Sequence, residues 1–195
     1  MQIFHADKTA HFKIVYHGAG LGGKTTNMHQ IFSRLKPEQR LSQNVIEVPT
    51  QQDKTLTFDF MPLTIGKIGM YEVVLKFYTV PGQVHYENSR KLILDDVDGV
   101  VFVADSQPEL RNENIRMLNE LQESLKAQNS DNEVVTILQL NKRDLPDVMD
   151  VEQMLSGLQK NDEAYYEASA INGNGVMETM QTIVQMVISN FRSSK

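Results

Sequence analysis

The residues best suited to chemistry stand near the start of the chain: Gly18-Ala19-Gly20-Leu21-Gly22-Gly23-Lys24-Thr25, followed by Thr26. Their spacing is that of a phosphate-binding loop, G-x-x-x-x-G-K-S/T. Each residue type has a task there. Glycine lacks a Cβ, so successive backbone N–H groups can turn inward and form a nest for an anion. A helix beginning at Lys24 aims its positive end at the same anion. The Lys24 ammonium adds a mobile charge between the β- and γ-phosphates. The Thr25 hydroxyl is a hard oxygen ligand of the kind Mg²⁺ prefers. These residues point to a nucleotide bound with Mg²⁺, but the loop alone does not select the base.

Two later segments do. Asn141-Lys142-Arg143-Asp144 follows a buried apolar run, where the carboxyl end of a strand would bring it beside the phosphate loop. The Asp144 carboxylate can accept from both the N1–H and the 2-amino group of guanine, a pair that adenine does not offer. The stem of Lys142 can lie over the purine, and Asn141 can contact the base and tie neighbouring loops together. Glu167-Ala168-Ser169-Ala170 precedes the last helix, and the small Ser169 and Ala170 would let backbone N–H groups approach the guanine oxygen. Ser169 or Asn172 can also cap that helix. Three such elements at three strand ends select guanine, so GTP and GDP are the expected ligands.

The elements that must position these residues alternate in type. Phe12 to Tyr16 predicts a strand, and Lys24 to about Leu35 a helix. Lys36 to Asp53, with Pro37 and Pro49, reads as an irregular connection long enough to be functional. Leu56 to Ile65 and Tyr71 to Thr79 read as a hairpin around a Gly66-Lys67-Ile68-Gly69 turn, giving one antiparallel edge strand on a mostly parallel sheet. Val100 to Ala104 and Val134 to Leu140 are buried strands. Helices are expected from Pro108 to about Gln128, Val151 to Leu158 and Val176 to Phe191, with a short strand ending at Glu167. The fold class is α/β, a doubly wound sheet with helices on both faces.

The chain has 195 residues, which suits one domain spanning 1–195. A net charge of −6 argues against a duplex-wrapping protein, and no nucleic-acid partner is expected. The absence of cysteine excludes disulfides, thiolate chemistry, Cys-ligated metals and prenyl or palmitoyl anchors. Met1-Gln2-Ile3 reads as neither a signal peptide nor a myristoylation site, and no apolar run reaches membrane-spanning length. A cytoplasmic protein without a direct membrane anchor is expected.

Taken together, GAGLGGKTT (18–26), TLTFDFMP (55–62), YTVPGQV (78–84), SRKLIL (89–94), DGVVFVADSQ (98–107) and NKRDLP (141–146) resemble the Ras superfamily of GTPases and, within it, the bacterial MglA family of polarity and motility switches. The resemblance implies a P-loop NTPase with a Ras-like three-layer sandwich. It makes Thr55 the first-switch threonine on Mg²⁺, and Gln83 the residue that orients the attacking water. It lets the Gly82 N–H bond the γ-phosphate. Thr79 stands where most Ras-like proteins have aspartate, and the MglA family likewise has threonine there. A carboxylate near the Mg²⁺ water shell would then come from Asp59, acting through water; otherwise Asp59 is a polar residue on an exposed edge-strand face. Lys54 stands where the family usually has an arginine finger. It is either a weaker finger or a solvated loop lysine.

The resemblance further implies an activating Roadblock-type homodimer resembling MglB, effectors in polarity or motility, recruitment to a cell pole through partners, and a register shift of the first-switch strand between states. A GTP-dependent scaffold with little hydrolysis is the alternative. His17 reads as packed under the loop rather than as a base, and His85 and Tyr86 as partner contacts. Arg90 and Lys91 read as a solvated face rather than an acidic-partner surface. Met177, Met180 and Met186 read as core.

Overall fold

The computed structural model describes residues 1–49, 57–82, 87–128, 134–160 and 164–193. Among these, eight strands form one sheet: β1 (Gln2–Phe4), β2 (Thr9–Gly18), β3 (Ile46–Pro49), β4 (Thr57–Ile68), β5 (Tyr71–Thr79), β6 (Gly99–Asp105), β7 (Val135–Asn141) and β8 (Tyr165–Glu167). The order across it is β3-β4-β5-β2-β6-β7-β8, with β1 paired to the start of β2. From β5 to β8 every neighbour is parallel. Such strands must be apolar on both faces, and β6 is buried at all seven positions. The carboxyl ends of β2, β6 and β7 lie together, because Gly18 pairs with Val103 and Asp105 with Asn141. The phosphate loop and the base-reading tetrapeptide are thereby set side by side.

Helices α1 (Lys24–Arg34) and α5 (Val176–Ser193) cover one face of the sheet. Helices α2 (Glu87–Leu94), α3 (Arg111–Ala127) and α4 (Val151–Leu158) cover the other. Tyr16, Phe77, Met28, Ile31 and Ile183 belong to the first core, which Met180 joins and on which Met177 and Met186 pack. Val15, Phe102, Leu94, Leu118 and Leu121 belong to the second. Each fully buried side chain of this size contributes roughly 1.5–3 kcal/mol. These layers are the expected α/β sandwich.

The antiparallel edge is present and reaches further than the sequence suggests. The connection after α1 opens with a 3-10 turn at Pro37–Gln39 and then adds β3, antiparallel to β4. The hairpin turn is also shorter. Lys67 pairs with Glu72 and Ile68 with Tyr71, so the reversal is Gly69-Met70, and Gly66 lies where the register slips between Thr64 and Lys67. A glycine at such a slip marks a bulge as readily as a turn, which is why the glycine pair misplaces the reversal.

Candidate functional site

The phosphate loop leaves β2 at Gly18 and enters α1 at Lys24. Gly23 stands at the helix boundary with φ 99°, a left-handed conformation that L side chains rarely adopt, and a Cβ there would collide with the side-chain amide of Asn141. Among the described residues no side chain caps the helix, and its first N–H groups remain turned toward the loop. Leu21 also takes a positive φ, 58°, and leaves its side chain 94% exposed. Lys24 folds back over the loop, donating from Nζ to the carbonyls of Gly18 (2.9 Å) and Ala19 (2.6 Å). Burial, with the nearby Arg90 cation, pushes its pKa down to about 8 against the opposing pull of Asp59.

Thr25, the next residue, donates its hydroxyl to Asp59 Oδ2 at 2.6 Å. Asp59 is 6% exposed, so it is no exposed-face residue: it shares the inner face of β4 with the buried Met61 and Leu63, and its side chain faces the loop. Thr79 holds it there, donating to Oδ2 at 2.8 Å and accepting from the Asp59 N–H at 2.9 Å. Thr25, Asp59 and Thr79 thus join α1, β4 and β5 at one point. Gly82 follows closely, and a Cβ on it would come within 2.5 Å of Gly20 Cα and 2.7 Å of Ala19 C. Only glycine lets this backbone lie flat on the phosphate loop.

The base end is tied more tightly. Asn141 donates to the Gly22 carbonyl at 2.8 Å and accepts from the Ala170 N–H at 2.9 Å, joining the phosphate loop to the loop before α5. The Ser169 N–H is taken by the Asn174 carbonyl at 3.1 Å, closing the turn that presents Ala170. Lys142 has φ 66° and reaches Asp105 Oδ2 at 2.6 Å. Asp144 is exposed at the same strand end. Arg143 is engaged elsewhere, with Glu167 at 3.0 Å and the Met149 carbonyl at 2.6 Å.

Two supports escaped the sequence reading. Asp105 is a wholly buried carboxylate ending β6, and Asn114 of α3 bonds both its N–H (3.1 Å) and its carbonyl (2.7 Å). The signal available was a charge closing the apolar run Val100 to Ala104. Beneath the loop, Gln139 bonds Asn27 (2.9 Å) and Thr179 (3.1 Å), linking α1, β7 and α5. Their long sequence separations hid that link.

A model of the ADP-ribosylation factor family matches residues 2–187. The mutual gliding-motility protein MglA of Myxococcus xanthus (strain DK1622) is 41% identical over 191 residues, covering 97% of each chain. The chain belongs to the MglA family of Ras-like small GTPases.

For this GTPase the expected positions fall into three groups. The phosphate loop, Asp59 and Gly82 come together, as do Asn141, Lys142, Asp144, Ser169 and Ala170 at the base end. Lys54, Thr55 and Gln83, with His85 and Tyr86, lie outside the described residues. His17 is buried and stacked on Phe102, with centroids 6.1 Å apart. Burial holds its pKa well below the usual histidine range, and the Lys24, Arg90 and Arg116 cations lower it further. The ring is therefore neutral and packed, as expected.

Arg90 corrects the reading of a solvated face. It is fully buried, whereas Lys91 is exposed and pairs with Glu87 at 2.6 Å. An arginine goes inside only when a carboxylate can meet it, and Glu120 of α3 does so at 2.5 Å. Among the described residues no helix is long and apolar enough to cross a membrane.

The residues around Thr25 fit Mg²⁺. A hydroxyl and a carboxylate oxygen lie 2.6 Å apart beside the loop. The described residues contain no group of three or more histidines and carboxylates able to cage an ion. A magnesium held through one or two protein oxygens, with phosphates and waters completing its shell, suits that donor set.

Proposed function

We propose that this chain is a GTP-hydrolysing switch in bacterial polarity or motility control, turned over by an activating homodimer of the Roadblock type resembling MglB. The observation that carries the reading is the meeting of Thr25, Asp59 and Thr79. Through it, the strands leading out of the first switch and into the second both end on the phosphate loop. A segment held in this way can respond to the γ-phosphate.

In this reading the Gly18–Thr26 backbone and Lys24 hold the phosphates. Asp144 accepts from guanine, the Lys142 stem covers the ring, and Asn141, Ser169 and Ala170 shape the base end. Thr25, Thr55 and Asp59, the last through water, would hold Mg²⁺, which when bound neutralises charge on the β- and γ-phosphoryl oxygens. The Gly82 N–H draws the second switch onto the γ-phosphate. Gln83 orients the attacking water, accepting from it and donating to a phosphoryl oxygen. Lys54 supplies charge without a planar fork, so turnover without the partner is slow. Release of the γ-phosphate frees both segments. The register slip between Thr64 and Lys67 supports a β4 that changes its pairing between states. The chain works in the cytoplasm and reaches a cell pole through its partners.

The test is single-turnover GTP hydrolysis with and without the Roadblock-type homodimer, in wild type, Gln83→Leu and Lys54→Arg. The partner should accelerate wild type, Gln83→Leu should lose most turnover while keeping GTP affinity, and Lys54→Arg should gain rate. Tight GTP binding with no hydrolysis in any condition would replace this reading with the GTP-dependent scaffold.

A further inference from the structure

Arg90 is the largest side chain without solvent exposure among the described residues. Burying a guanidinium is expensive, so what it bonds is informative. Nε and Nη2 meet the two oxygens of Glu120 at 2.5 and 2.9 Å, a fork on a fork. Nη1 turns the other way and donates to the carbonyl of Pro81 at 3.1 Å. Glu120 is steadied in turn by Arg116 at 3.1 Å, which is itself forked onto Glu113.

Helix packing alone does not require this. Ile93 and Leu94 of α2 already share an apolar cluster with Leu118 and Leu121 of α3. A buried ion pair seldom adds net stability over apolar residues of similar volume. What arginine adds is a third donor, directed at the backbone. The Val80 N–H makes a sheet-like bond to the Tyr16 carbonyl at 3.1 Å. Pro81 has no N–H, so its carbonyl is its one backbone handle. Gly82, pressed onto Ala19 and Gly20, is the next residue.

We propose that Arg90 is a positioning residue for hydrolysis: anchored on Glu120 of α3, it fixes the Pro81 carbonyl and thereby sets the Gly82 N–H against the phosphate loop. The proposal rests on the GTPase reading above. It makes α3 part of the hydrolytic apparatus although none of the residues assigned to the nucleotide lies on α3.

The test compares wild type with Arg90→Lys, Arg90→Met and the double variant Arg90→Met/Glu120→Met. The double variant removes both charges and leaves apolar chains in their place, so stability is preserved while the grip on Pro81 is lost. Four quantities are read: melting temperature, GDP affinity, the ratio of affinities for a non-hydrolysable GTP analogue and GDP, and single-turnover hydrolysis. The double variant should melt and bind GDP like wild type. Its hydrolysis should fall on the order of 10- to 100-fold, the scale of a misplaced reacting group, and the analogue-to-GDP ratio should fall with it. Arg90→Lys keeps the charge without the fork and should show the same two losses.

Wild-type hydrolysis and an unchanged ratio in the double variant would overturn the proposal and leave Arg90 a packing residue. If the double variant does not fold, Arg90→Lys decides on the same two readouts. If wild type itself fails to hydrolyse GTP, the GTPase reading falls, while the affinity ratio still decides the role of Arg90.

Discussion

The two ends of the nucleotide cleft are made from unlike parts of the sheet. The base end rests on β6 and β7, parallel strands buried on both faces toward their carboxyl ends, and its loops are cross-tied through Asn141, Asp105 and Asn114. The switch end rests on β4 and β5, whose ladder slips register, and on the meeting of two hydroxyls with one carboxylate. A site that must select one base needs fixed distances. A site that must report one phosphate needs a segment whose hold can be broken by a few kcal/mol. The pairing of the sheet supplies both: tight selection on its all-parallel side and a releasable contact on its antiparallel side.

Substitutions can break this contrast or sharpen it. Lys24→Ala should have the largest effect, lowering affinity for GTP and GDP alike by on the order of 10²- to 10⁴-fold, as expected for charge-assisted bonds to two phosphates. Its melting temperature should stay near that of wild type, because among the described residues Lys24 bonds only loop carbonyls. Titration with a fluorescent nucleotide, beside a thermal melt, checks both.

Asn141→Ala should come next. It removes two buried hydrogen bonds and leaves the Gly22 carbonyl and the Ala170 N–H without this partner. Nucleotide affinity should drop roughly 100-fold and melting temperature should fall as well. If melting is unchanged, the base end is not the rigid half described here.

Asp144→Asn should exchange guanine for xanthine, lowering affinity for GTP and raising that for XTP by about 10- to 100-fold while the fold is kept. Competition between the two nucleotides measures it, and an unaltered preference removes Asp144 from the base site.

The smallest effect is one of pH. In the free protein Lys24 has its pKa depressed to about 8, and phosphates beside it favour the charged form. Below pH 8 the lysine is charged before and after binding, and it contributes no pH dependence. Above pH 8 binding must take up a proton, so affinity should fall by up to about tenfold per pH unit. GDP titrations between pH 7 and pH 9.5 test this, and Lys24→Ala should abolish the slope.

The sequence displayed the phosphate loop and the base-reading residues because their chemistry is local: a few residue types at fixed spacing, beside strands that announce themselves by being apolar. What it concealed depends on pairing across distance. Asp59 reads as exposed on an edge strand until Thr25 and Thr79, 34 and 20 positions away, are seen to meet it on the inner face of β4. Arg90 reads as solvated until Glu120, 30 positions away, is seen to meet it. Gly66 reads as the turn because a bulge and a reversal ask for the same residue type. The three-residue β1 carries no periodicity long enough to notice.

The bridge formed by Asn141 has a kinetic consequence. The guanine and the phosphates are joined in one ligand, so each end normally holds the other at high effective concentration, and rebinding at one end rescues a slip at the other. Here the two receiving loops are themselves joined through a single side-chain amide. Loosening either loop removes a bond from the other, so rescue fails at the moment it is needed, and dissociation should follow a single exponential. Residence time then depends on the integrity of that amide as well as on the contacts at each end. A partner that pries at either end of the cleft will eject the whole nucleotide.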